Sequence, residues 1–343
     1  MTEAMTGDQQ MARAPLRPRA AARGISFAVR ILATACLAGC GAVPDEPLRI
    51  ATNVWPPYEL LYLARERGYF AAENVQVELV DFSSYNGALA AYHQGQIDAL
   101  MATLNEIQNR DNFLDPPVVV LVLDYSFGGD AMVARPGVGS LAALRGKRIA
   151  YEESALGSYV LERALAAGRL TTADVTILNR LPEEAEKEFH AGTVDAVVTY
   201  EPFLGRLLAG GGATVLFSSR QMPGEIVDVL AARPTALRQR QDDFRRLARA
   251  WFRAHADFQA NPADAAAIMA RHENIGADEF LRGLEGSHIP DRVENLRLLG
   301  TSMATGDLSG IADRLGAFLV RQGLARSAAR GDQVLSPAVV EAL

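Results

Sequence analysis

One turn is written twice in this chain, and that repetition limits the possible folds more than any other feature. His93-Gln94-Gly95-Gln96-Ile97-Asp98-Ala99 and His190-Ala191-Gly192-Thr193-Val194-Asp195-Ala196 share the pattern H-x-G-x-(I/V)-D-A. In each, the glycine can end a helix in the left-handed conformation, and the apolar pair then enters a buried strand. A generic helix-to-strand turn would also place glycine there. Recurrence at the same point of two strand–helix series indicates two lobes of like architecture.

The rest of the chain fits that frame. In the first series, residues 48–54, 75–82 and 97–103 read as strands. A helix from Tyr58 to Arg67 is stopped by Gly68, and another runs from about Asn86 to Gln94. Val118 to Leu123 is a continuous apolar run, as in a strand buried on both faces. In the second series, residues 148–151, 175–178, 194–199 and 214–217 read as strands, with helices around 156–167 and 183–190. Such alternation predicts an α/β fold with mostly parallel sheets. From Pro234 onward the spacing is helical, over 236–259, 262–272, 277–284 and 311–322, with Trp251, Phe252 and Phe258 as packing residues.

The N-terminus carries an address. Arg13, Arg17, Arg19 and Arg23 precede a mainly apolar run from Ile25 to Leu37, interrupted by Arg30 and closed by Leu37-Ala38-Gly39-Cys40. A basic region, a short apolar region and small residues before a cut site describe a secretory signal. The run is short for a span of about 20 residues. The cysteine after the small residues resembles a bacterial lipoprotein signal. That resemblance implies a signal over 1–39, lipid on Cys40, and a tether over 40–47 rich in Pro and acids.

Removing 1–39 takes five Arg and two acids from 34 basic and 41 acidic residues, leaving 29 − 39 = −10. That balance argues against nucleic acid. Only two cysteines exist, Cys36 and Cys40, so the remaining fold has no disulfide, thiol nucleophile or thiol metal ligand. Lysine occurs only at Lys147 and Lys187. G-x-S-x-G, H-E-x-x-H and P-loop patterns are absent, and Gly137-Val138-Gly139-Ser140-Leu141-Ala142 lacks the strand a dinucleotide fingerprint requires. No cofactor, metal or enzymatic activity is expected.

Trp55-Pro56-Pro57-Tyr58-Glu59, Ala64-Arg65-Glu66-Arg67-Gly68-Tyr69-Phe70, the G-x-I-D-A turn and Leu141 to Ala150 together resemble solute-binding proteins of bacterial ABC importers. The nearest class handles nitrate, taurine, sulfonates and thiamine-pyrimidine precursors. The resemblance implies a two-lobed periplasmic-binding-protein fold, with two doubly wound α/β lobes, a cleft, two crossover segments and a helical C-terminal part. Lobe one would comprise 48–132 plus 230–343 and lobe two 133–229, with crossings near Asp130–Ala134 and Asp228–Ala232. A monomer that takes a small-molecule ligand, partners an ABC permease and holds the membrane by its lipid is implied. A sensor-coupled module and a thiamine-pyrimidine-synthase-like enzyme are the alternatives. The missing cysteine counts against the second.

Ligands of open α/β sheets bind beyond the carboxyl ends of the strands, and that rule selects loops. Trp55 and Tyr58 follow the first strand; they can wall a pocket or pack the lobe edge. Ser84 and Ser154 each open a helix whose free N–H groups can hold an anionic oxygen, although a serine there also caps its own helix. Thr103, Asn105 and Glu106 follow the third strand. Glu106, Asp130, Glu153, Glu201 and Asp228, with Asp124, lie at strand ends or crossings. If they face one cleft they favour an amine or amidine and repel a simple anion. Together with the helix N-termini they point to a zwitterion or a polar aromatic amine.

Overall fold

The computed structural model describes residues 46–343. The expected signal, the expected lipidation at Cys40 and most of the expected tether lie outside the described residues.

Eleven strands matter for the site: β1 (Leu48–Thr52), β2 (Val77–Asp81), β3 (Ala99–Thr103), β4 (Val118–Ser126), β5 (Asp130–Ala134), β6 (Arg148–Tyr151), β7 (Thr176–Asn179), β8 (Ala196–Tyr200), β9 (Thr214–Ser218), β10 (Val227–Ala232) and β11 (Ser287–His288). They form two sheets, ordered β11-β4-β10-β3-β1-β2 and β7-β6-β8-β5-β9. β1 pairs in parallel with β2 and β3, and β6 with β7 and β8. This is the expected two-lobed α/β architecture, with one systematic departure. β10 runs antiparallel to β3 and β4, and β5 runs antiparallel to β8 and β9.

The departure has a simple cause. β4 and β9 end at the edge where the lobes face each other. A chain that crosses there enters the other lobe at its cleft edge and must run away from it. The crossings are therefore residues 127–129 and 219–226, earlier than the sequence reading placed them. Asp130–Ala134 belongs wholly to the second sheet and Val227–Ala232 wholly to the first. The boundaries at 132/133 and 229/230 cut through these strands. Ser219 ties the two crossings together: its hydroxyl lies 2.8 Å from that of Ser126 and accepts from Gly128 N–H at 2.6 Å.

Both copies of the repeated turn do the same work. Gly95 and Gly192 sit at φ 73° and 77°, where a side chain would be strained. Asp98 then accepts from Arg49 N–H (3.0 Å) at the start of β1, and Asp195 from Arg148 N–H (2.8 Å) at the start of β6. Arg233 and Arg135, each just past an antiparallel strand, donate their guanidinium N–H to the carbonyls of Tyr92 and Phe189.

The C-terminal helices pack on the first lobe. The helical stretch from 236 is broken at Arg240 into Pro234–Gln239 and Gln241–Ala260, with the Arg240 guanidinium held by Asp243 at 2.9 Å. Trp251 is fully buried, as its helical spacing predicts. Among the described residues no helix is long and apolar enough to cross a membrane.

Candidate ligand site between the lobes

A cavity of about 70 Å³ lies between the two sheets, lined from both lobes. Its place follows from the topology. The antiparallel strands begin at the cleft edge, so their first residues are presented to it. Asp228 pairs in register with Thr103 on one side and Asp124 on the other, and Asp130 pairs with Tyr200. Asp228, Thr103, Asp130 and Tyr200 all line the cavity.

Trp55 and Tyr58 form one wall. Pro56 and Pro57, with φ preset by their rings, make a single tight turn in which Tyr58 N–H returns to the Trp55 carbonyl at 2.9 Å. The Trp55 indole N–H donates to both oxygens of Asp124 at 3.1 and 3.2 Å, and the Tyr58 hydroxyl donates to Asp228. Both rings are buried, at 5% and 2% exposure. Tyr200 meets Trp55 edge to face across the cleft, with centroids 6.3 Å apart. Gly129, in the first crossing, must lack a side chain here: a Cβ would lie 2.6 Å from the Trp55 ring.

The polar groups are mostly acids. Burial pushes the Asp130 carboxyl up to about 7, with the Ser126 hydroxyl pulling the other way. Burial also pushes Glu106 up to about 7, against the N–H of Leu156 and the Ser154 hydroxyl. Asp124 and Asp228 face each other across adjacent strands. Burial raises both well above the ordinary carboxylate range; Asp228 raises Asp124 further, while the Trp55 N–H opposes the rise at Asp124 and the Tyr58 hydroxyl opposes it at Asp228. Among the described residues no group of three His, Cys, Asp or Glu side chains is arranged to hold a metal.

Of the residues singled out from sequence, the structure brings Trp55, Tyr58, Thr103, Glu106, Asp130, Ser154 and Asp228 to the cavity. The other four lie elsewhere. Ser84 caps its own helix, accepting from Gly87 N–H at 3.2 Å. Asn105 is buried outside the lining, and its amide atoms have no partner among the described residues. Glu153 is exposed and exchanges hydrogen bonds with Asn179 at the end of β7. Glu201 turns to Gly205 N–H at 3.0 Å, at the start of the next helix.

The lining also includes residues not singled out as site residues from the sequence, among them Tyr85, Glu152 and Tyr200. Glu152 is the first residue past β6, where the strand rule points; its neighbour Glu153 drew the attention. A second internal repeat was also present, D-x-x-x-A-R-P at Asp130 to Pro136 and Asp228 to Pro234. It marks Asp130 and Asp228 as equivalent heads of the two antiparallel strands.

Comparison with known proteins places the architecture. The family model described as NMT1/THI5 like matches residues 55–265, more than half of the chain. A Bacillus subtilis (strain 168) protein provisionally described as aliphatic sulfonates-binding is 26% identical over 223 residues, 57% of this chain and 67% of that protein. The periplasmic aliphatic sulphonate binding protein SsuA from Escherichia coli superposes with a TM-score of 0.68 at 17% identity, covering 86% of this chain and 99% of the other. The desulfurization enzyme DSZB superposes with a TM-score of 0.64 at 16% identity, covering 87% and 98%. The fold is thus shared by binding proteins and an enzyme, and the sequence match assigns this chain to the NMT1/THI5-like family.

Proposed function

We propose that this protein is an extracytoplasmic solute-binding protein, held to a membrane by lipid on Cys40, that captures a small polar organic solute and delivers it to an ABC permease. The observation that carries the reading is a cavity lined from two lobes that are joined at one edge by two short crossings. A ligand touching both lobes stabilises the closed arrangement by the contacts it makes only there. Lobe one would be the first sheet with the C-terminal helices, and lobe two the second sheet. Trp55 and Tyr58 wall the ligand, while Ser154, Glu106, Asp130 and Asp228 supply polar contacts. The candidate solute classes are amine-bearing, zwitterionic, sulfonate-like and pyrimidine-like. The names of the Bacillus and Escherichia proteins support the class.

The likeness to DSZB favours a second reading, an enzyme on the same fold. The sequence weighs against a thiol-dependent one, since both cysteines precede residue 46. A thermal-shift screen of amines, sulfonates and pyrimidines on the purified protein tests the main reading. A ligand at a hundredfold excess over its Kd raises stability by about 2.7 kcal/mol. Stabilisation without turnover is expected. Consumption of the stabilising compound would instead establish the enzyme.

A further inference from the structure

Two helices point their N-termini at the cleft, Tyr85–His93 from the first lobe and Ala155–Ala167 from the second. Unsatisfied N–H groups at such an end, with the helix dipole behind them, are where a bound anion would sit. In this protein both ends are already occupied, each by a carboxyl group from the opposite lobe. Glu106, of the first lobe, accepts from Leu156 N–H at 2.9 Å. Glu152, of the second, accepts from Tyr85 N–H at 3.3 Å. The exchange is reciprocal: each lobe caps the other's helix.

What remains for a ligand is of one electrical sign. The lining includes Glu106, Asp130, Glu152 and Asp228 and contains no Lys, Arg or His. Glu106 is only 3% exposed, and its second oxygen has no partner among the described residues. Around these acids stand the rings of Trp55, Tyr58, Tyr85 and Tyr200, whose faces attract cations.

We propose that Glu106 and Glu152 are built-in occupants of the two anion positions, so that the cleft selects an organic cation, an amine or quaternary ammonium with a small apolar part, and rejects sulfonates and other anions. The proposal rests on the reading of this cleft as the solute site. It differs from what the names of the sulfonate-binding relatives would suggest for this chain, and it makes the two glutamates specificity-determining residues.

The test uses pairs matched in shape and opposite in charge: choline against isethionate, and benzylamine against phenylmethanesulfonate. Isothermal calorimetry on the purified protein should give each cation at least a tenfold lower Kd than its anionic partner. The double variant Glu106→Gln with Glu152→Gln should weaken the cations tenfold or more and let the sulfonates bind measurably. Thermal melts of this variant and of each single change report whether the fold is kept. The unmodified protein alone decides the sign if they do not fold. Tighter binding of the sulfonates, or binding of uncharged solutes only, would overturn the proposal and leave the solute-binding reading standing. Binding of nothing from these pairs or from the wider screen would overturn both.

Discussion

The two lobes are built alike and equipped differently. Each has a central parallel trio, β1 with β2 and β3 or β6 with β7 and β8, and one antiparallel strand that returns from the other lobe. At the end away from the cleft they agree almost atom for atom: Gly95 and Gly192, Asp98 on Arg49 N–H and Asp195 on Arg148 N–H, Arg233 and Arg135 on backbone carbonyls. At the cleft edge the equivalence is only partial: Asp130 and Asp228 head equivalent strands, but the segments after β1 and β6 differ. After β1 comes the rigid turn carrying Trp55 and Tyr58; after β6 comes Glu152 and a helix N-terminus. Repetition therefore marks what the fold requires. Its failure marks the proposed ligand site.

The largest expected effect comes from removing what only the first lobe has. Trp55→Ala deletes a buried ring that touches the crossing at Gly129 and faces Tyr200. It also leaves Asp124 without its donor. Loss of a buried tryptophan costs about 3–5 kcal/mol. Chemical denaturation should show that loss, and ligand affinity in calorimetry should fall at least hundredfold. Affinity unchanged within twofold would mean that Trp55 packs the lobe edge and that the cleft asymmetry lies with the acids alone.

Next in size is the dependence of stability on pH, to which the cleft contributes beside the scaffold acids Glu59 and Glu273, raised by burial to about 7 and about 8. Glu106 and Asp130 have folded pKa values raised by burial to about 7, above ordinary carboxyls. The unfolded chain loses these protons first, so their contribution is most favourable below about pH 4 and is lost as pH rises to about 7. At about 1.4 kcal/mol per unit, Glu106 alone shifts stability by about 3 kcal/mol. His272, in the first lobe, is raised to about 10 by hydrogen bonds to Asp81 and Glu59, with burial opposing. Its stabilisation is complete below about pH 6.5 and declines toward 10. The melting temperature of the free protein should therefore fall from pH 5 to pH 8. Saturation with a bound cation should flatten the part due to Glu106 and Asp130, and leave the His272 part untouched. A flat profile in the free protein would show that these acids are solvated, and the contrast between cleft and scaffold would go with them.

How much of this was legible in the sequence follows the same division. The strands, the main helices and the doubled turn were legible because burial periodicity and glycine punctuation are local signals. The antiparallel strands were not, since Asp130–Ala134 and Val227–Ala232 look like connections until the crossing edge is known. In the site, Trp55, Tyr58 and Glu106 followed from the rule about the carboxyl ends of strands, and Asp130 and Asp228 from their place at the expected crossings. Glu153 was preferred to Glu152 because the two are adjacent, and only the exit from β6 decides which faces the cleft. Ser84 and Glu201 sit at helix starts, where capping competes with ligand binding, and capping took both. The pairing of Glu106 with Leu156 joins groups 50 residues apart across two lobes, a distance no local pattern encodes.

The smallest effect tests the shared half of the comparison. Asp98→Ala and Asp195→Ala each remove the acceptor that fixes an N–H at the start of a strand, Arg49 in β1 and Arg148 in β6. Both side chains keep 28% of their exposure, so water replaces part of the bond and the cost is reduced to about 1 kcal/mol apiece. For a chain of this size that lowers the melting temperature by about 1–2 °C. Because the two aspartates hold equivalent positions, the two losses should agree within error, and neither should alter which member of a matched cation–anion pair binds. An unequal loss would mean that the lobes differ in their scaffold as well as in their cleft. A changed ligand preference would carry the site beyond the cleft edge, to the far end of β1 or β6.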